Sequence, residues 1–334
     1  MLHALLFAVA LTPAQIDSTI AAAERAFHDY VIPEAAAKAE AMLRANEPSY
    51  RTISDPEAFV KTVNADLYAT THDRHVRLEY PFDASLADST PTEAEQAREQ
   101  RLEAFSNYFF YTVRRLPGNV GYIDFRNFSG EASAARAIDA TMAFLADTDA
   151  LIVDLRRNGG GDPRTAQMLE AYFFAQPQQI TSLMVRDPKT GAVTETQQYT
   201  AAMVPGQLYL NKPVYVLTSG KTYSCAEQFT YDLHNLKRVT VVGETTGGAA
   251  NPGGFESLGN GFGIFIPTGR AYSPITKTNW EGTGIAPDVS TTAADALLKA
   301  YELALVRVKA RVKDPEMSGA VNRAIANPQA MLQY

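Results

Sequence analysis

The chain has 334 residues, enough for one large domain and a smaller one. Hydrophobic residues make up 46% and charged residues 20%, ordinary for a folded protein. The net charge of -7 argues against nucleic acid or an anionic membrane as the main partner. No stretch reaches the length of a membrane-spanning helix, and a single cysteine, Cys225, excludes an internal disulfide framework and a multi-cysteine metal site.

In chain order, Ala4 to Leu11 is a short apolar run followed by small residues through Ala14. It reads as the core and cleavage region of a secretory leader over residues 1–14, although no Lys or Arg precedes it. A leader implies a periplasmic or secreted protein. If the run is instead the first element of the mature chain, the protein is cytoplasmic. Residues 15–82 read as an N-terminal helical domain. Asp17 is expected to cap a first helix with Ile20, Ala23 and Phe27 on one side, and Pro33 to Leu43 is a second, alanine-rich helix. Asp55-Pro56 is a cap followed by proline at the first helical position, ahead of an apolar stripe of Phe59, Val60, Val63 and Leu67. His75 to Tyr80 alternates as a strand does.

Residues 83–108 are polar and read as a linker containing an exposed helix. From Phe109 the pattern becomes alternating strands and helices: strands at Val120–Phe125, Ala150–Leu155, Val214–Leu217 and Val239–Val242, and helices at Glu131–Leu145, Pro163–Phe174 and from Ser224 to about Asn235. Ala150–Leu155 is continuously apolar, as expected of a strand buried on both faces. Such repetition predicts an α/β fold with right-handed crossovers. Gly247 to Gly263 is expected to be a long loop or hairpin region, followed by a strand at Phe262–Pro267 and a closing helix from Thr292 to about Val312. The core thus spans 109–312, and residues 313–334 read as a loosely docked tail.

Chemistry concentrates in a few places. Ser224 follows a strand and a small-residue turn and opens a helix. Its hydroxyl would lie near the positive helix end and free N–H groups, where a serine hydrolase keeps its nucleophile. On this stretch alone an ordinary N-cap is the better reading. Arg157 to Pro163 holds three glycines between a strand and a helix, a turn able to aim N–H groups at an oxyanion. It lacks the spacing and lysine of a P-loop. Of the five histidines, His72 and His75 lie at a helix-to-strand junction. His234 is nearly three turns along the helix from Ser224 and so out of its reach. Two histidines three apart also raise metal binding, but no second carboxylate–histidine cluster completes such a site. Glu281 and Asp288, in a glycine-rich turn, are both candidates to orient a histidine.

Four stretches in this order, THDRH (71–75), DLRRNGGG (154–161), TSGKTYSCAEQF (218–229) with VGETTGG (242–248), and EGTGIAPD (281–288), resemble the tail-specific, or C-terminal processing, serine protease family over roughly residues 60–300. The resemblance implies a crotonase-like, ClpP-like ββα spiral core beside a small N-terminal helical bundle. Lysine-using members carry a lysine where Ala249 stands here, so the chain looks like the branch of the tricorn core and the interphotoreceptor retinoid-binding protein modules, without a PDZ module. On that match His75 is the base, Glu281 its support and Ser224 the nucleophile. The N–H groups of Cys225 and of Gly159 or Gly160 form the oxyanion hole. A tricorn serine beside the histidine is replaced by Arg74. The implied activity is a serine peptidase acting on peptides or unfolded protein, with no cofactor and no metal. The alternative is a non-catalytic module binding apolar ligands or peptides. Acyl-CoA chemistry on a crotonase-like core is a third reading, disfavoured because a serine-led helix with a remote histidine is not its usual equipment.

Overall fold

The computed structural model describes residues 10–84, 92–187 and 190–333. Helices α1 (Pro13–Ala26), α2 (Pro33–Tyr50) and α3 (Pro56–Thr71) precede strand β1 (Arg77–Glu79) and helix α4 (Glu93–Phe105). Then come β2 (Phe110–Leu116), β3 (Val120–Phe125), α5 (Glu131–Leu145), β4 (Ala150–Asp154), α6 (Pro163–Ala171), β5 (Gln179–Arg186), β6 (Val193–Tyr199) and β7 (Val214–Thr218). The chain continues through α7 (Cys225–Asn235), β8 (Thr240–Gly243), β9 (Gly253–Gly259), β10 (Phe262–Pro267), β11 (Gly269–Tyr272) and β12 (Val289–Ser290). It closes with α8 (Ala296–Arg311), α9 (Pro315–Ala326) and α10 (Pro328–Met331). The described residues fall into two compact units.

The first unit comprises residues up to Thr92 together with 183–196 and 251–271. Its start is the expected leader, residues 1–14, most of which lies outside the described residues. Pro13 and Ala14 belong to α1, whose cap is Thr12 in a capping box with Gln15. Asp17 is therefore inside the helix, where it pairs with Arg51 at 2.6 Å, and not its cap. Helix α2 runs seven residues past Leu43 and passes through Pro48. Asp55 does cap α3, its carboxylate accepting from Ala58 N–H at 2.7 Å. The unit is not purely helical. The glycine-rich segment folds into the β9–β10 hairpin, to which β1 adds antiparallel in the order β1–β10–β9. Phe59, Val63 and Leu67 from α3 and Phe262, Ile264 and Ile266 from β10 are buried in one core with Ile16, Ile20 and Phe27. A further three-stranded sheet has the order β11–β5–β6.

The second unit comprises 93–182, 197–250 and 272 onward. Its six-stranded sheet has the order β12–β8–β7–β4–β3–β2. Pairing is parallel from β3 through β12, and only β2 is antiparallel. Parallel neighbours need crossovers, supplied by α5, α6 and α7. Strands β3, β4 and β7 are buried at every position, which explains their unbroken apolar runs. One side of the sheet packs Ile123, Leu151, Val153 and Val216 against Ile138, Leu169 and Phe229. The other packs Tyr122, Ile152 and Leu217 against Tyr301, Leu305 and Val308 of α8. Residues beyond Lys313, expected as a loose tail, instead form α9 and α10, with Val321 and Ala324 buried in that second core. Asp314 caps α9 through Glu316 and Met317 N–H. Helix α4 buries no residue.

Candidate active site

Parallel topology brings the carboxyl ends of β4 and β7 side by side, where α/β sheets present their sites. After β4 comes the Arg157–Asp162 turn, and after β7 the Thr218–Tyr223 turn. The two are tied together. Thr222 Oγ1 donates to Leu155 O at 2.8 Å, Ser219 Oγ to Arg156 O at 2.6 Å, and Tyr223 N–H to Asn158 O at 3.1 Å. Asn158, fully buried, also reaches Phe125 O with its amide nitrogen at 3.0 Å.

Ser224 ends this turn with φ 53 and ψ −122, a conformation costly for a residue with a Cβ. It occupies the N-cap position of α7 in a capping-box arrangement with Glu227, whose carboxylate accepts the Ser224 N–H at 3.0 Å. The Glu227 and Gln228 N–H groups go to its carbonyl oxygen at 2.8 and 3.0 Å. Gly160 packs against it. A Cβ there would lie 2.9 Å from Ser224 Cβ and 3.0 Å from Cys225 N, at φ +112. Only glycine allows so close an approach at that dihedral. Gly160 N–H donates to Asn158 Oδ1 at 2.9 Å, so it is already engaged. The Cys225 N–H, first in its helix, has no intrahelical acceptor, and among the described residues Gly159 N–H donates to no backbone carbonyl. The Cys225 thiol is buried, which pushes its pKa well above the ordinary value, reinforced by the carboxyls of Glu170, Asp162 and Asp232. It stays protonated, and a thiol is a poor nucleophile.

Glu281, also in the second unit, is half-buried. Its Oε2 accepts the Ala250 N–H at 2.6 Å. The neighbouring Trp280 donates its indole N–H to Ala249 O at 3.0 Å. Asp288, the other acid considered, is committed elsewhere: it holds His234 Nε2 at 2.9 Å and Val241 N–H at 2.8 Å.

His75 belongs to the first unit and is 6% exposed. Its ring stacks on Phe265 at 5.4 Å. Burial, with a smaller contribution from the Arg77 charge, pushes its pKa down to about 4. The buried Asp73 carboxylate fixes its backbone, accepting His75 N–H at 2.9 Å, Tyr30 Oη at 3.0 Å and Asn251 Nδ2 at 2.9 Å. Arg74 lies over the Tyr68 ring at 4.8 Å. His72 terminates α3 in the left-handed conformation, a structural role.

Sequence reasoning missed three residues. Asn158 was visible only as part of a glycine turn, and Asp73 only as a neighbour of His75. Glu227 stood in plain view in the SCAE segment. It is fully buried and accepts four hydrogen bonds.

The family model of peptidase family S41 matches residues 119–291, just over half of the chain. A relative, carboxyl-terminal-processing peptidase 3, chloroplastic, of Arabidopsis thaliana, is 24% identical over 172 residues, covering 52% of this chain and 31% of its own. This chain therefore spans about a third of that protein's length. Among solved structures, a candidate peptidase from Parabacteroides merdae has a TM-score of 0.55 at 19% identity, over 84% of this chain and 90% of that one. The tricorn protease has a TM-score of 0.50 at 13% identity, over 93% of this chain and 37% of its own. At such identities the structural likeness speaks for the fold. The matched region contains the Gly159–Gly161 turn, Ser224 and Glu281, and the chain belongs to peptidase family S41.

Proposed function

We propose that the protein is a serine peptidase in which Ser224 is the nucleophile, His75 the general base and Glu281 the acid that supports the imidazolium. Ser224 Oγ attacks a peptide carbonyl carbon. His75 takes the hydroxyl proton and passes it to the leaving amine, and water then hydrolyses the acyl-enzyme by the same steps in reverse order. The N–H groups of Cys225 and Gly159 receive the oxyanion, and loss of one such donor costs about 3 kcal/mol in the transition state. The observation that carries the reading is Ser224 itself, held at φ 53 between a strand and a helix and packed against Gly160, where a Cβ would lie 2.9 Å from its own. A pure N-cap has no need of that strain. Substrates of this reading are peptides or unfolded protein. The uniformly parallel β3–β12 order favours a crotonase-like spiral for the core, and the apolar N-terminal run favours export to the periplasm or beyond.

A fluorophosphonate probe together with hydrolysis of an unfolded protein tests it. Ser224→Ala is expected to abolish labelling and to lower kcat on the order of 10⁶-fold, while Cys225→Ala keeps most activity. The reverse pattern, or no labelling of the intact chain, would overturn the assignment and favour a non-catalytic binding module.

A further inference from the structure

The Glu227 carboxylate joins two parts of the second unit that the peptidase reading needs. Its Oε2 accepts Ser224 N–H at 3.0 Å and Ala249 N–H at 2.9 Å. Its Oε1 accepts Thr246 Oγ1 at 2.5 Å and Gly248 N–H at 2.6 Å. The next amide along, Ala250 N–H, is held by Glu281 at 2.6 Å, and Gly282 N–H returns to Gly248 O at 2.9 Å. Two carboxylates thus grip three successive amides, 248 to 250. One is rooted one turn into the nucleophile helix and the other in the glutamate turn.

We propose that Glu227 is a positioning residue, a staple that fixes the Ser224 backbone and, through residues 248–250, the turn bearing Glu281. The proposal rests on the serine-peptidase reading above. Four donors on two oxygens require the ionised form, since a protonated oxygen would face an N–H. An amide cannot substitute. The glutamine nitrogen would meet Gly248 N–H on one side or Ser224 and Ala249 N–H on the other. Thr246 Oγ1 already accepts Ile285 N–H at 2.8 Å, and turning its proton away to accept the amide as well would still leave Gly248 N–H facing the glutamine nitrogen. The groups facing Glu227, from the start of α7 and from residues 246–249, are uncharged donors. Burial raises its pKa above the ordinary value against the pull of those four hydrogen bonds, so Glu227 loses its charge at higher pH than His75 gains one.

The test compares Glu227→Gln with the intact chain for kcat, KM, pH profile and amide exchange. Misplacing the nucleophile without touching the substrate is expected to lower kcat by roughly 10- to 100-fold with KM nearly constant. The acid limb of kcat is expected to move down, towards about pH 4, once only His75 titrates. Exchange at residues 222–227 and 246–250 is expected to accelerate. Should Glu227→Gln fail to fold, Thr246→Val keeps the charge and removes one donor. It is expected to give a smaller loss in kcat, with the acid limb moved up because a hydrogen bond that lowers the Glu227 pKa is lost. Unchanged kcat and acid limb in a folded Glu227→Gln protein, beside an active parent, would overturn the positioning role alone. Absence of any Ser224-dependent hydrolysis in the parent would overturn the peptidase reading and the role together.

Discussion

At the scale of single residues, protonation decides what His75 can do. An exposed histidine would lose its basic form below about pH 6.5. Burial takes the His75 pKa down to about 4, so the neutral imidazole persists through the mildly acidic range. We expect kcat/KM to hold from pH 7 to below pH 6, with its acid limb well under 6.5. An acid limb centred near 6.5 would mean that the working base is an exposed imidazole. The same depression ties to stability. The unfolded chain binds the proton first, so stability falls as pH drops from about 6.5 towards 4. Of this arrangement the sequence showed His75 by its motif, but the anchoring of Asp73 by Tyr30 and Asn251 spans 43 and 178 residues. Local spacing cannot reveal partners so distant.

At the scale of elements, the glycine turn after β4 and the serine turn after β7 work as one piece. Gly159, Gly160 and Gly161 are not equivalent. A Cβ on Gly159 meets nothing within 4 Å, whereas on Gly160 it meets Ser224 Cβ, Cys225 N and Tyr223 O. On Gly161 it would overlap the Phe128 carbonyl, at φ +131. Gly159→Ala is expected to leave Tm nearly unchanged. Gly160→Ala is expected to push Ser224 aside and to lower kcat about 10²-fold at a stability cost of roughly 1–3 kcal/mol. Equal effects of the two substitutions on kcat and Tm would show that the close approach is unimportant. Elements buried on both faces, such as β4 with its ALIVD run, were legible from sequence because burial dictates composition. The β9–β10 hairpin was blurred by its glycines, which carry no periodicity. Helix α9 was hidden because its cap, Asp314, sits in a charged stretch that reads equally well as solvated chain. Glu227 was not legible as a site residue, since its meaning lies in amides some twenty residues away.

At the scale of the whole molecule, the second unit keeps two acids in its interior. Glu170 on α6 is fully buried, and neither of its oxygens has a hydrogen-bond partner among the described residues. Asp232 on α7 accepts Thr181 N–H at 2.9 Å and Thr181 Oγ1 at 2.7 Å, both with the same oxygen. Burial pushes the Glu170 carboxyl well above its ordinary range, and the nearby Asp232 charge pushes it further. Burial likewise takes Asp232 up to about 7. For acids with raised pKa the folded protein holds protons that the unfolded chain has released. Stability is therefore fully present below about pH 4 and is lost as pH climbs through 7. This slope is opposite in sign to that of His75, but two raised carboxyls outweigh one depressed imidazole, so the net contribution of these three groups falls as pH rises from about 4. Glu170→Met, an apolar side chain of similar length, removes one buried acid and its repulsion on the other. We expect it to raise stability by a few kcal/mol at pH 8 and by little at pH 5, read from denaturant unfolding at both values. The gain must grow with pH, because ionisation adds a charge cost to that of a buried neutral carboxyl. A gain of equal size at pH 5 and pH 8 would show that hydrophobic packing, and not relief of buried charge, explains it.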